Sequence, residues 1–316
     1  MTRAWLVWGG AAAAILGLGA LMVALTFASS ATPANHVQRY LDALAGDDLA
    51  SAARLAGLQP PTAMPLGDDG EPSIHRIVST ETERDGTVTI VAEYGVVTDA
   101  ALVTFRLRPA PPTIALVPTW AFVSPPVATL SVAADEHDRF AVNDRAVVAA
   151  GAGEPVTVTA FVPARVTVRL DDPLLRAEPV TVRAGTGASD SIVLAVAPAE
   201  RLERTVRREV ERLLLTCTDQ RVLQPTGCPF GIDIVDRVTA PPLWRLNGAL
   251  VLVIEPGDNP GVWRVRGEGS AQLTVSVQNL FDGVITERDE PVGFIVRGEV
   301  VLDPDGPVLT IYPPGG

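Results

Sequence analysis

The spacing of apolar and polar residues changes along the chain, and each spacing predicts a different element. From residue 36 to 57 apolar residues recur every three or four positions, which predicts two short helices. Alternation follows, which predicts strands at 74–80 and 87–94. The dipeptide Asp85-Gly86 between them is typical of a tight hairpin turn. Residues 36–125 are therefore predicted to form an α+β domain, with helices before an antiparallel sheet.

The rest of the chain predicts two further domains. Residues 126–197 hold only short alternating segments separated by turn residues, which predicts a small β-sandwich. Residues 199–216 carry one apolar stripe at helical spacing and charged residues elsewhere, which predicts a helix. Strand-like segments follow it, among them separate ones at 261–265 and 272–278, so residues 198–316 are predicted to be a second α+β domain.

The N-terminus predicts a membrane segment. Residues 5–27 contain no charge and suffice to cross a bilayer as a helix, which predicts a transmembrane helix after a cytoplasmic stub at residues 1–4. Arg3 before the span predicts that the C-terminal part lies outside the cytoplasm. Residues 28–35 are interpreted as a linker. Small residues at Ala28–Ala31 leave open the alternative of a cleaved signal peptide and a secreted chain.

Charge and composition exclude several functional classes. The formal net charge of −12 argues against binding nucleic acid through a basic surface. All 25 basic residues are arginine, so chemistry that depends on a lysine, such as Schiff-base formation, is excluded. The hydrophobic fraction of 47% is sufficient for packed cores.

The two cysteines favour a disulfide. Cys217 and Cys228 are separated by ten residues, and an even number of cysteines in an oxidising compartment is typically paired. A redox or metal role is the alternative, but the spacing is not C-x-x-C and no histidine lies near them. We expect a structural bridge.

Catalytic and metal-binding constellations are not recognisable in the sequence. His36, His75 and His137 lie in different predicted elements, and no hydrolase or metalloprotease motif occurs. The acidic run 68–71 has oxygens that calcium could use, but it lacks the spacing of a known calcium loop. We interpret the run as a solvated surface loop. The sequence therefore predicts no catalytic residue, no metal ligand and no cofactor.

Some segments resemble bacterial envelope proteins. The stretches Arg139–Arg145 and Phe161–Arg169 are similar to a turn and a return strand of small β modules, including PEGA-type domains. The stretch from Cys217 to Gly231 resembles a segment of actinobacterial envelope proteins. Together with the predicted order of elements, the chain resembles TcaA-like and related actinobacterial envelope proteins. That resemblance implies cone-shaped α+β domains of the nuclear-transport-factor-two-like (NTF2-like) class and a role in the cell envelope.

Cone-shaped domains often hold a cavity between helices and sheet, and aromatic residues with polar atoms are candidates to line it. These candidates are Tyr40, Tyr94 and Trp120 in the first α+β domain and Trp244 and Trp263 in the second. Core packing of the same residues is the alternative that we favour.

The expected function follows from the anchor and the missing catalytic constellations. We expect a single-pass, extracytoplasmic, non-catalytic protein that binds a cell-wall polymer, another envelope component or another membrane protein. The alternative is a small-ligand binding or sensor protein that uses a pocket in an α+β domain.

Overall fold

The structure is a computed structural model that describes residues 31–58, 64–111, 118–185, 191–303 and 306–312. Strands account for 51% of the structure and helices for 15%. The protein is therefore mostly β. The predicted α+β class with two cone-like domains is wrong, and the reason lies in the length of the strands described below.

Three helices occur in the described part of the chain. They are α1 (Pro33–Ala45), α2 (Leu49–Leu55) and α3 (Glu200–Thr218). Helix α1 starts inside the predicted linker because Thr32 Oγ1 accepts a hydrogen bond from the Asn35 amide and Pro33 occupies the first turn. Helix α3 confirms the predicted helix, and its apolar stripe is buried.

The first unit packs α1 and α2 on a four-stranded antiparallel sheet with the order β1-β2-β3-β4. Its strands are β1 (Ile74–Thr82), β2 (Val88–Val96), β3 (Asp99–Ala110) and β4 (Thr119–Phe122). The hairpin at Asp85-Gly86 is confirmed, and Gly86 adopts the positive φ of +82° that the turn requires.

The middle unit contains two small sheets that share one hydrophobic core, with strand orders β11-β9-β6-β7 and β12-β5-β8. A separate two-stranded sheet, β10-β13, completes the unit. The strands are β5 (Val127–Ala134), β6 (Arg139–Val142), β7 (Arg145–Val148), β8 (Val156–Phe161), β9 (Arg165–Arg169), β10 (Leu175–Arg176), β11 (Val180–Arg183), β12 (Ser191–Leu194) and β13 (Ala197–Pro198).

The third unit places α3 against a five-stranded antiparallel sheet. Its strands are β14 (Arg237–Val238), β15 (Leu243–Pro256), β16 (Val262–Gln278), β17 (Ile285–Asp303) and β18 (Gly306–Tyr312). Strands β16 and β17 pair along their whole common length, from Val262↔Val301 to Gln278↔Ile285.

These long strands explain why the predicted fold class is wrong. The sequence predicted separate strands at 261–265 and 272–278, with Gly267 and Gly269 between them. In the structure both glycines lie inside β16, because the ring of Phe294 packs directly over Gly269, where a Cβ would lie 2.6 Å from Phe294 Cζ. Glycine here admits a neighbouring side chain rather than ending the strand.

The predicted transmembrane helix at residues 5–27 lies outside the described residues. Within the described ranges, every helix is too short or too polar to cross a bilayer.

The first and middle units interlock across the predicted boundary at residue 125. Leu66 belongs to the core of the middle unit, whereas Phe161 and Ala164 belong to the core of the first. Tyr40, fully buried in α1, donates its hydroxyl hydrogen to Val162 O at 2.8 Å, with Pro126 O also within reach at 3.1 Å. The two cores therefore depend on each other.

His36 on α1 supplies a testable pH dependence. Burial lowers the pKa of His36, although a hydrogen bond between its Nε2 and Leu55 O (3.1 Å) acts in the opposite direction. Because the pKa of His36 is lower in the folded chain, the unfolded chain binds this proton more readily than the folded chain as the pH falls below about 6.5. The stability contributed by neutral His36 is therefore present above that pH and declines below it.

We therefore expect the free energy of unfolding to fall between pH 7 and pH 5, and to fall less steeply in a His36→Gln variant. Urea denaturation at several pH values measures both slopes. Identical slopes in the two proteins would contradict this assignment.

Candidate functional site

A cavity of about 500 Å³ lies where the first and middle units meet. Its walls come from the C-terminal end of α1, from the segment 64–71 and from the turn between β6 and β7. The lining residues that carry polar or charged side chains are Asp47, Asp68, Asp69, Glu71, Asn143, Asp144 and Arg145.

The segment 64–71 is fixed to the middle unit by the backbone. Leu66 donates its amide to Thr159 O at 2.8 Å and accepts from the Phe161 amide at 2.9 Å, which adds it to the edge of β8. The side chain of Asn143 then bridges two elements, since its Nδ2 donates to Gly67 O and its Oδ1 accepts from the Thr167 amide. The wall of the cavity is therefore ordered.

Negative charge dominates the lining. Five carboxylates, those of Asp47, Asp68, Asp69, Glu71 and Asp144, line the cavity together with the single cationic side chain of Arg145. Asp144 also forms an ion pair with Arg169 outside the lining. Like charges gathered around one concave site attract a positively charged group.

Asp68 is the buried member of this set. Its side chain is only 1% exposed, and Oδ1 accepts hydrogen bonds from the amide and the Nε of Arg165, both at 3.0 Å. Its other oxygen, Oδ2, is buried as well, and the carboxylate forms a hydrogen bond with the hydroxyl of Tyr94. The interpretation of residues 68–71 as a solvated loop is therefore wrong at Asp68.

Tyr94 lies behind this carboxylate in the core of the first unit. Burial raises the pKa of Tyr94 well above its usual range, and the negative charge of Asp68 raises it further. A side-chain hydrogen bond between the Tyr94 hydroxyl and Asp68 acts in the same direction. Tyr94 and Arg165 therefore both contact the buried carboxylate of Asp68 next to the cavity.

Strained backbone is concentrated at the same place. Asp47, Asn143 and Asp144 adopt positive φ angles of 53°, 45° and 61°, and no other described non-glycine residue does so. All three line the cavity. Such conformations are tolerated best by Asn and Asp and tend to occur at functional sites.

The predicted pocket aromatics lie elsewhere. Tyr40 and Tyr94 are fully buried in the first core, and Trp120 donates its Nε1 hydrogen to Ala31 O at 3.1 Å. In the third unit Trp244 donates to Val222 O at 2.8 Å, whereas the Nε1 of fully buried Trp263 has no partner among the described residues. None of the five lines the acidic cavity.

The predicted disulfide is confirmed. Cys217 at the end of α3 is bonded to Cys228, with a Cα–Cα distance of 5.7 Å, and both residues are buried. The bridge closes the loop that supplies Val222 O to Trp244, so it holds α3 to the sheet of the third unit.

The cavity suits an organic cation better than a metal ion. No group of three His, Cys, Asp or Glu side chains within the described ranges is arranged to hold a metal ion. The carboxylates therefore form a diffuse negative wall rather than a coordination shell. An ammonium or guanidinium group, which needs several acceptors at hydrogen-bond distance, fits such a wall.

Part of this site was visible in the sequence and part was not. The acidic run 68–71 and the turn at Asn143-Asp144 are each recognisable. Their convergence is not, because more than 70 residues separate them and the contact depends on the pairing of Leu66 with β8.

Comparison with known proteins adds no assignment. The chain matches no protein-family model, no curated protein and no solved structure. Function must therefore be inferred from the geometry of the chain itself.

Proposed function

We propose that this chain is a non-catalytic, extracytoplasmic protein that binds a positively charged group of a cell-envelope component or of another envelope protein. The acidic cavity is the observation that carries the proposal. Five carboxylates line one volume of about 500 Å³ together with the single cation of Arg145, and four of the five remain once Asp68 is set aside as the buried partner of Arg165. A chain with net charge −12 would select cationic partners in any case, but the cavity provides a defined place for them.

The proposed location is supported by the disulfide. Disulfides persist in oxidising compartments and are rare in the cytosol. The buried Cys217–Cys228 bridge is therefore consistent with a position outside the cytoplasmic membrane. In this proposal the apolar residues 5–27 either anchor the chain in the membrane or direct its secretion.

A second candidate is a binding or sensor protein for a small cationic ligand. The cavity volume supports it, because sites for small molecules usually measure about 300–1,000 Å³. The two candidates differ in the size of the partner and not in the chemistry that recognises it.

Sedimentation of the full-length chain with isolated cell walls, and separately with membranes, tests the first candidate. One variant removes three cavity charges by Asp69→Asn, Glu71→Gln and Asp144→Asn. Asparagine is chosen at 144 because it tolerates the positive φ there. We expect saturable binding of the natural chain and about tenfold weaker binding of this variant, which corresponds to about 1.4 kcal/mol.

A matched control removes the same number of charges from exposed positions elsewhere, by Glu81→Gln, Glu154→Gln and Glu203→Gln. Equal loss in both variants would show that bulk charge acts rather than the cavity, and would contradict the proposal. If the natural chain binds neither walls nor membranes, the first candidate is wrong. Calorimetric titration with a tetralysine peptide, with tetraglutamate as control, then tests the second.

A further inference from the structure

The turn that joins β16 to β17 carries an exposed apolar tip. Phe281 is fully exposed at 102% of its reference area, and Leu280 is 63% exposed. Val284 and Ile285 beside them are exposed as well. Four large apolar side chains at the end of one protruding hairpin form a patch of the kind that marks an interaction site.

The tip is an ordered structure. Asn279 Oδ1 accepts a hydrogen bond from the Phe281 amide at 2.8 Å, and Asp282 Oδ1 accepts from the Val284 amide at 2.9 Å. The Asn279 amide donates to Val284 O and closes the turn. A side chain presented on a fixed turn loses less conformational entropy when it binds than one on a flexible loop.

The third unit also contains an apolar groove of about 240 Å³. Strand β15 bulges between Asn247 and Val251, so that three of its residues face the single residue Gly269 of β16. This bulge opens a space between the sheet and the C-terminal part of α3. Apolar side chains dominate the walls, which include Leu214, Leu215, Leu246, Leu250 and Phe294.

The groove has room for an aromatic ring. A cavity of roughly 150 Å³ lined by apolar side chains binds benzene, and the groove is larger than that. The tip of the same molecule cannot reach it, because the ten residues from Gly269 to Gln278 run along one strand and span roughly 30 Å. An occupant that resembles the tip must come from another molecule.

Charge favours a second copy of this chain at the groove. Residues 279–290 of the hairpin contain four acidic residues and one arginine. The chain as a whole has a net charge of −12 and would repel that hairpin. Helix α3 beside the groove differs, since it carries five arginines and four glutamates, one of which, Glu211, lines the groove. Arg204 and Arg212 are paired with glutamates of the helix and Arg207 donates to Leu250 O, which leaves Arg201, Arg208 and exposed Arg245 of the neighbouring strand to face the hairpin.

We propose that two copies of the chain associate by inserting Leu280 and Phe281 of each into the groove of the other. Gly269, Ser270 and Phe294 of the β16–β17 hairpin form part of the groove and the tip ends the same hairpin, so a two-fold arrangement makes both contacts at once. Each contact removes one phenyl ring and one leucine side chain from water, and the acidic hairpin lies along the arginines of α3. This association does not depend on the acidic cavity.

Disulfide crosslinking of full-length chains in membranes tests the contact. Both natural cysteines are already bonded to each other, so introduced cysteines report on new proximity. One tagged copy carries Asp282→Cys at the tip, and a differently tagged copy carries Ala249→Cys at the groove. We expect a crosslinked heterodimer on a non-reducing gel, and a yield that falls about tenfold when Phe281→Ala is added to the tip copy.

Two controls make the result decisive. Val148→Cys, at an exposed position of the middle unit, replaces the tip cysteine in one control. Val97→Ala, an exposed apolar residue of the first unit, replaces Phe281→Ala in the other and should leave the yield unchanged. No crosslink above the Val148→Cys level, or a yield that Phe281→Ala does not change, would overturn the proposal.

Discussion

Replacing Asp68 with alanine is expected to lower the free energy of unfolding by about 3–5 kcal/mol. The carboxylate is 1% exposed and holds the amide and the Nε of Arg165, whose side chain is itself only 16% exposed. Removing Asp68 leaves that guanidinium buried without its anion. The same change removes the side-chain contact between the segment 64–71 and β9 and leaves the backbone hydrogen bond from the Asp69 amide to Arg165 O, so urea denaturation should show a large loss of stability.

Two further variants separate this ion pair from other effects of the substitution. Asp69→Ala removes the neighbouring carboxylate, which makes no ion pair in the described part of the chain, and should change stability by no more than about 0.5 kcal/mol. The double replacement Asp68→Leu with Arg165→Met should restore most of the loss, because no buried charge is then left unpaired. Equal losses for Asp68→Ala and Asp69→Ala would refute the role given to the pair.

Removal of the disulfide should have the second largest effect. The double variant Cys217→Ala and Cys228→Ala opens a closed loop of 12 residues, which is expected to lower the free energy of unfolding by about 3 kcal/mol. The loop also positions Val222 O, the acceptor for the Trp244 indole, so part of the loss should come from the packing between α3 and β15.

Denaturation of the natural chain and the double variant, each with and without a reducing agent, measures this effect. The reducing agent should destabilise the natural chain and leave the variant unchanged. If the natural chain is as stable reduced as oxidised, the bridge contributes nothing and the expectation fails. Fluorescence of Trp244 and its neighbours offers a local signal for the same comparison.

Local sequence signals identified most of the individual elements. The turn at Asp85-Gly86 and helix α3 follow directly from the residues, because turn conformation and helical amphipathicity are properties of a few neighbours. The strands of residues 126–197 were also recognisable from alternation. The sequence did not predict that β16 is one continuous strand. The contact that decides this, Phe294 over Gly269, joins residues on different strands, and neither residue alone indicates the contact.

The candidate site was predicted less well than the elements. For the aromatic residues, core packing was the favoured interpretation and a pocket the alternative. Tyr40 and Tyr94 are fully buried in the first core and do not line the acidic cavity. The cavity itself depends on a bridge between Leu66 and Ala160, which are 94 positions apart. Pairing over such a distance is set by the whole fold and leaves no local pattern.

Leu66 of the first unit packs in the core of the middle unit, and Phe161 of the middle unit packs in the core of the first, which limits where such a chain can be divided. Neither unit has a complete interior alone, since Leu66 packs in the middle unit and Phe161 in the first. Recombination at residue 125 would separate each side chain from its surroundings and expose both. The site formed at their seam therefore requires both units to stay in one chain.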